Sequence, residues 1–172
     1  YLHNKDMEIN VWDRIIAFEG RMHEFIKAAY DYQDNTFHSH PGYYIDYFEM
    51  RLAQLQVLHN LHYEIKKIRK MPKQALVIAD YIMYMADYVV EMNIPDQQIE
   101  KLEEISEQMK QEELPKTREE FEGRALLYHI LMDLEEFLVY KKRFVSGLDE
   151  KKLRIYWKQE MEQKDSANEL QK

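Results

Sequence analysis

Hydrophobic positions recur along most of the chain at spacings of three and four residues, the period of an amphipathic α-helix. Short breaks that contain Pro, Gly, Asn or Asp separate these stretches. The pattern predicts an all-α fold, an up-and-down helical bundle of five or six helices. The predicted helices span residues 8–32, 43–70, 73–92, 96–113, 114–144 and 150–163.

The fifth stretch is the most strongly specified helix. Thr117 and Glu120 stand at the spacing of a capping box, in which each side chain accepts a hydrogen bond from a backbone N–H at the helix start. Gly147 supplies a stop signal. The apolar side of this helix is predicted to contain Phe121, Ala125, Tyr128, Leu131 and Leu138.

The third and fourth stretches predict how the bundle is layered. The third is apolar nearly all round, with one polar stripe, and such a helix is usually the most buried. The stripe consists of Asp80, Tyr84, Asp87 and Glu91. Its carboxylates have the chemistry of a cation site, but a solvated face is the favoured interpretation. We expect the first, second, third and fifth helices to form the core and the fourth, amphipathic helix to flank them.

Length and composition restrict the class of protein. The 172 residues suit one domain, which we predict over 1–165, followed by a disordered tail at 166–172. The net charge of −8 does not favour nucleic acid. The chain has no Cys, so a disulfide scaffold, a thiolate metal site and a Cys nucleophile are excluded. It contains no Gly-rich phosphate loop and no zinc-protease motif, and we predict no enzyme activity and no cofactor.

Seven ionisable side chains fall on helix faces that should be apolar. They are Glu19, His23, Arg51, His59, His62, Arg124 and Glu135. Burying a charge is costly unless it is paired. We therefore predict a buried polar layer in which Arg51 and Arg124 pair with carboxylates such as Glu19 and Glu135.

Two other interpretations of these residues remain open. Glu19, His23, His59 and His62 are ligand types for a metal site in a helical bundle, although no Glu-x-x-His pair occurs in the sequence. Alternatively, Arg51 and Arg124 could clamp the carboxylate of a small aromatic acid, because a guanidinium binds a carboxylate through two hydrogen bonds.

A basic segment lies near the end of this acidic chain. It runs from Lys141 to Lys158 and includes Trp157 among its aromatic residues. Lysines interleaved with aromatic residues are compatible with contact to a membrane surface or to an acidic partner. Helix ends and solvated surfaces also collect lysine, and this is the favoured interpretation.

Two stretches carry a family pattern. They are YFEMR at 47–51, followed by Gln54, and LPKTREEFE at 114–122, followed by RALL at 124–127. Together they resemble the C-terminal domain of the bacterial family of putative aromatic acid exporters, which is related to fusaric-acid-resistance transporters. No catalytic residue is carried over by this resemblance.

The resemblance implies a longer parent protein in the cell membrane. This domain would follow a transmembrane half of the same polypeptide, lie on the cytoplasmic side and have a non-catalytic role in assembly, gating or regulation. Homo-oligomer formation is compatible with such a role. The alternatives are a stand-alone helical interaction protein and a small aromatic-acid sensor that uses the buried arginines.

Overall fold

A computed structural model describes residues 8–35, 41–68 and 72–157. This part of the chain forms six α-helices, which confirms the prediction of an all-α bundle. None of these helices combines the length and the apolar character needed to cross a membrane. The helices are α1 (Glu8–Asn35), α2 (Pro41–Lys67), α3 (Ala75–Ala86), α4 (Asp96–Gln111), α5 (Arg118–Ser146) and α6 (Glu150–Tyr156).

The starts of α5 and α6 follow from their capping residues. The Thr117 hydroxyl accepts a hydrogen bond from the Glu120 N–H at 3.1 Å. The Glu120 carboxylate accepts from the Lys116 N–H at 2.7 Å, one residue before the position expected for a capping box. Asp149 starts α6 by accepting from the Lys152 N–H. The predicted continuation of α6 to residue 163 and the predicted tail lie outside the described residues.

Helix α2 lies between α1 and α5 and contacts both along its length. The α1–α2 pair is antiparallel, because Trp12 contacts His62 while Phe25 stacks on Phe48. The α2–α5 pair is also antiparallel, since the Gln54 side-chain amide donates to the Phe137 carbonyl and Tyr43 packs on Phe144 further along. Helix α4 also contacts α5, and α3 contacts α4.

The main hydrophobic core is shared by α2, α3, α4 and α5. Its buried members are Val57, Leu61, Ala75, Ile78, Tyr81, Met85, Leu102, Ile105, Met109, Leu127, Ile130, Leu131, Leu134, Phe137 and Leu138. A second, smaller cluster joins the start of α2 to the end of α5 and to α6. It consists of Tyr43, Met50, Phe144 and Trp157.

The predicted roles of α1 and α4 were wrong. Among the described α1 side chains, Met22 alone belongs to the buried hydrophobic set, so α1 is the flanking helix. Helix α4 instead places Leu102, Ile105 and Met109 in the main core. Its apolar seam is narrow, but the seam faces the space between α3 and α5, whereas the broad apolar face of α1 has α2 as its main neighbour.

The third helix is shorter and more exposed than predicted. It ends at Ala86, and its outer side chains Leu76 and Met83 are 53% and 70% exposed. The next residues leave the helical path, and the backbone carbonyl of Glu91 accepts a hydrogen bond from the Lys141 side chain. Since Glu91 is not helical, the predicted stripe of Asp80, Tyr84, Asp87 and Glu91 does not form one helix face.

Helix α5 carries two apolar stripes, and the prediction mixed them. Leu131 and Leu138 are buried as predicted, but Phe121 is 63% exposed and Tyr128 is also exposed. The buried stripe is built by residues that the prediction left out. These are Leu127, Ile130, Leu134, Phe137 and Phe144.

Candidate functional site

A hydrogen-bonded chain of polar groups ties α6 to the start of α2, and we call it the Tyr43 junction. The Trp157 indole N–H donates to the Tyr43 hydroxyl at 3.0 Å, and this hydroxyl donates to a Glu91 carboxylate oxygen at 2.7 Å. Burial raises the pKa of Tyr43 well above its usual value, so the phenol stays protonated and remains a donor. The junction therefore fixes the segment after α3 as well as α6.

Lys141 forms the other half of the Tyr43 junction. Its ammonium group donates to the backbone carbonyl of Glu91, and the residue is only 4% exposed. Its Nζ atom lies 5.8, 5.3 and 5.4 Å from the ring centroids of Tyr47, Phe144 and Trp157. Aromatic faces attract a cation most strongly where water is excluded. The ammonium thus holds the non-helical segment against α5.

Arg51 binds neutral groups and not the predicted carboxylates. Its Nε donates to the Tyr47 hydroxyl at 3.1 Å and its Nη1 donates to the Gln54 amide oxygen at 2.9 Å. Gln54 is 3% exposed, and its side-chain amide donates a hydrogen bond to the Phe137 carbonyl at 2.8 Å. This hydrogen-bonded row cross-links α2 to α5 in the interior.

Arg124 lies elsewhere, at the start of α5, where it forms an ion pair of 3.4 Å with Glu112. Phe137, beside which Arg51 is anchored, lies thirteen positions after Arg124 on α5, so the two arginines stand about 20 Å apart along the helix. They also line different cavities, one of about 610 Å³ beside Arg124 and one of about 10 Å³ beside Arg51. The structure therefore does not bring both arginines to one carboxylate.

The larger cavity is an open groove between the start of α3 and the start of α5. Its volume falls in the range of small-molecule sites. Its basic residues are Lys73, Lys116 and Arg124, and its acidic residues are Glu112, Glu113, Glu119 and Glu120. The wall of the groove contains more acidic than basic residues, and the Arg124 guanidinium is already paired with Glu112. The groove is therefore not suited to an anionic ligand.

The remaining predicted site residues do not form one layer. His23 and Glu135 are exposed, and Glu19 is half-buried on α1. His59 and His62 pack on Trp12, with ring centroids 4.4 and 4.7 Å from the indole, and they attach the first half of α1 to α2. Across the described ranges, no three His, Asp or Glu side chains come together in an arrangement that could hold a metal ion.

The basic segment is only partly available to a membrane or a partner. Lys141 and Trp157 are buried in the Tyr43 junction. Lys142, Arg143 and Lys151 are exposed, and Lys142 pairs with Asp96 at 3.0 Å. Lys158 lies outside the described residues. Contact with a membrane surface stays a prediction, and among the residues whose side chains are described it would involve these exposed ones.

The buried polar groups that sequence reasoning missed are Gln54, Gln98 and the ammonium of Lys141. Lys141 was assigned to a solvated basic segment because its neighbours in sequence are basic. The helical spacing does indicate burial, because Lys141 follows Phe137 by four residues and precedes Phe144 by three. This spacing places Lys141 on the buried stripe of α5. Gln54 likewise follows Arg51 by three residues on α2.

Asp133 of α5 supplies a pH-dependent prediction. One of its carboxylate oxygens is buried and accepts no hydrogen bond from the described part of the chain. Burial, reinforced by the nearby charges of Glu64 and Glu136, raises the pKa of Asp133 above its ordinary value of 3.8. A raised pKa in the folded state means that stability falls as the pH rises from 3.8 through the folded-state value.

We expect the Asp133→Asn variant to melt about 2–4 °C higher than the wild type at pH 7, because the change removes this penalty. The difference in Tm should vanish near pH 3, where the Asp133 carboxyl is neutral in both the folded and the unfolded chain. Calorimetric melting across this pH range measures both effects. Asp13→Asn on the exposed side of α1 is the control and should shift Tm by less than about 1 °C. A gain that persists unchanged at pH 3 would contradict the explanation.

Comparison with known proteins identifies the class. Residues 1–142 match the family described as "Putative aromatic acid exporter C-terminal domain". This match covers the region from α1 to the last turns of α5, and the chain belongs to that family. Helix α6 lies beyond the match, although its neighbour Trp157 belongs to the interior.

The chain is also similar to two individual proteins. It is 32% identical over 98 residues to the uncharacterised protein YqjA of Bacillus subtilis (strain 168). The aligned region is 57% of this chain and 30% of YqjA, so the chain spans less than a third of that relative. The fold also resembles the crystal structure of a "putative membrane protein from Clostridium difficile 630". That similarity has a TM-score of 0.70 and 25% identity, and it covers 82% of this chain and 87% of the other.

Proposed function

We propose that this chain is the cytoplasmic C-terminal domain of a membrane exporter of aromatic acids and has a non-catalytic role in assembly, gating or regulation. The match of residues 1–142 to an exporter C-terminal domain carries the proposal. The 30% share of YqjA supports it, because a domain of this size then accounts for a minor part of a longer protein. The partner would be the transmembrane half of the same polypeptide.

The interior supports a structural role for this domain. Its buried polar groups bind backbone carbonyls, as Gln54 does at Phe137 and Tyr81 does at Gln98, and they brace helices against one another. Its surface supports assembly, since Phe121 and Met132 lie on one side of α5 and are 63% and 64% exposed. Exposed apolar side chains grouped on a surface are typical of contact sites.

The aromatic-acid sensor remains a weaker alternative. It was based on a clamp made by Arg51 and Arg124, and these two residues line separate cavities. The stand-alone interaction protein differs from the exporter domain in one respect that can be measured directly, which is whether a membrane half is covalently attached.

Fractionation of cells that make the native protein tests the proposal. An antibody raised against this domain should detect a band in the membrane fraction well above 21.1 kDa. Protease should degrade the epitope in inverted membrane vesicles and spare it in right-side-out vesicles, because the domain would face the cytoplasm. A soluble band near 21.1 kDa would overturn the proposal and leave the stand-alone protein. Degradation in right-side-out vesicles alone would overturn the cytoplasmic placement.

A further inference from the structure

The outer side of α5 carries a stripe that the other described helices leave largely exposed. Its positions alternate at spacings of three and four residues, which is the a and d pattern of a helix that packs on another helix. They are Arg118, Phe121, Ala125, Tyr128, Met132, Glu135 and Val139. Phe121 and Met132 are 63% and 64% exposed, and the core stripe of α5 lies on the opposite side of the helix.

Two copies of this outer stripe have complementary residues opposite each other when their helices run in opposite directions. In an antiparallel pair, Phe121 meets Met132 of a second copy and Ala125 meets Tyr128 of that copy. A thioether packs well on an aromatic ring, and a small residue opposite a large one fills the space evenly. Because the pair has a two-fold axis, each of these contacts forms twice.

Charge also favours the antiparallel direction. The same register places Arg118 opposite Glu135 of the second copy, so opposite charges close both ends of the stripe. In a parallel pair, Arg118 would face Arg118 and Glu135 would face Glu135, which is repulsive. In the single chain Arg118 binds Glu122 at 2.8 Å with its side chain 90% exposed. Such an exposed pair is weak, and Arg118 can exchange it at little cost.

We propose that two copies of this chain associate through the outer stripe of α5, antiparallel about a two-fold axis that passes between Ala125 and Tyr128. A second copy suits this stripe better than a lipid surface, because Glu135 lies in the stripe, Glu122 and Glu136 lie beside it, and anionic headgroups would repel all three carboxylates. The association does not depend on the exporter assignment.

The expected dimer is weak. The contact from Arg118 to Glu135 is about 26 Å long at 1.5 Å per residue, which makes a small interface. We expect a dissociation constant on the order of 10 µM, so sedimentation equilibrium of the full chain between about 1 µM and 300 µM should show the mass rise from 21.1 kDa toward twice that value. A monomer throughout this range would overturn the proposal.

Two methionines of similar exposure give a matched pair of variants. Met132→Glu should raise the dissociation constant at least tenfold, because it puts a carboxylate opposite Phe121 of the second copy. Met83→Glu changes an exposed methionine of α3 and should leave the dissociation constant unchanged. Equal effects of the two changes would show that general exposed hydrophobicity causes any association, and would overturn the proposal.

Exchanging the charges of Arg118 and Glu135 distinguishes an effect on association from an effect on folding. Arg118→Glu alone, or Glu135→Arg alone, should weaken the dimer, because each places like charges at both ends. The double variant should recover most of the wild-type association, since it restores opposite charges in the reversed order. Failure of the double variant to recover, with helical content unchanged by circular dichroism, would contradict the register.

Cysteine pairing tests the direction, and the chain has no Cys of its own to interfere. Residues 121 and 132 of one copy are about 16 Å apart along α5, too far for a disulfide within the chain. An equimolar mixture of the Phe121→Cys and Met132→Cys variants should therefore form a covalent dimer under mild oxidation faster than either variant alone. Faster coupling of one variant with itself would indicate a parallel pair and overturn the antiparallel model.

Discussion

Replacing Trp157 by alanine should lower the free energy of unfolding by about 3–5 kcal/mol, the usual cost of removing a buried tryptophan side chain. Trp157 is 3% exposed, packs in the cluster with Tyr43 and Phe144, and donates to the Tyr43 hydroxyl. The change would empty this space and remove a hydrogen bond from a buried phenol. Urea denaturation followed by circular dichroism measures the loss.

The control for this change is Ile155→Ala in the same helix. Ile155 is 46% exposed, so we expect it to cost less than about 1 kcal/mol. The contrast tests whether α6 is an integral part of the domain, although the family match ends at residue 142. A cost below about 1 kcal/mol for Trp157→Ala would show that α6 does not contribute to the stability of the domain.

Lys141→Glu should cost at least about 3–5 kcal/mol, because it buries a carboxylate where the structure requires a cation. The new carboxylate would face the Glu91 carbonyl, which accepts a hydrogen bond from Lys141 in the wild type, and the faces of aromatic rings that favour positive charge. The non-helical segment after α3 would lose its anchor on α5. The measurement is again urea denaturation at pH 7.

The adjacent residue provides the matched control. Lys142→Glu makes the same chemical change, but Lys142 is exposed and its ion pair with Asp96 is a surface pair, so the expected cost is about 1 kcal/mol or less. Lys141→Met keeps the aliphatic stem and removes the charge, and we expect an intermediate cost of about 1–3 kcal/mol from the unpaired carbonyl. Equal costs for Lys141→Glu and Lys142→Glu would contradict the buried position of Lys141.

The same pair of lysines changes how the basic segment should be understood. Two residues of the segment have a structural role, because Lys141 and Trp157 belong to the interior. Among the described residues of the segment, Lys142, Arg143 and Lys151 are exposed and are available for contact with a membrane surface. The segment is thus a helix end with one buried anchor and a few solvated cations.

Much of the fold could be read from the sequence because it depends on local signals. The spacing of apolar residues predicted the six helices, and the hydroxyl of Thr117 and the carboxylate of Asp149 start their helices as side-chain caps do. The stretches around Arg51 and Thr117 indicated the family to which the chain belongs. Such signals are encoded within a few residues of one another, so they need no knowledge of the neighbouring helices.

The tertiary structure alone decided which apolar surfaces are buried. Helix α5 has large apolar residues on both its inner and its outer side, and only the positions of α2 and α4 make Leu134 a core residue and leave Phe121 exposed. The non-helical segment after α3 is likewise held by a residue distant in sequence, because Lys141 binds the Glu91 carbonyl from α5. The hydrophobic effect favours covering an apolar face but does not select the helix that covers it. That choice is made by the packing of the whole folded chain.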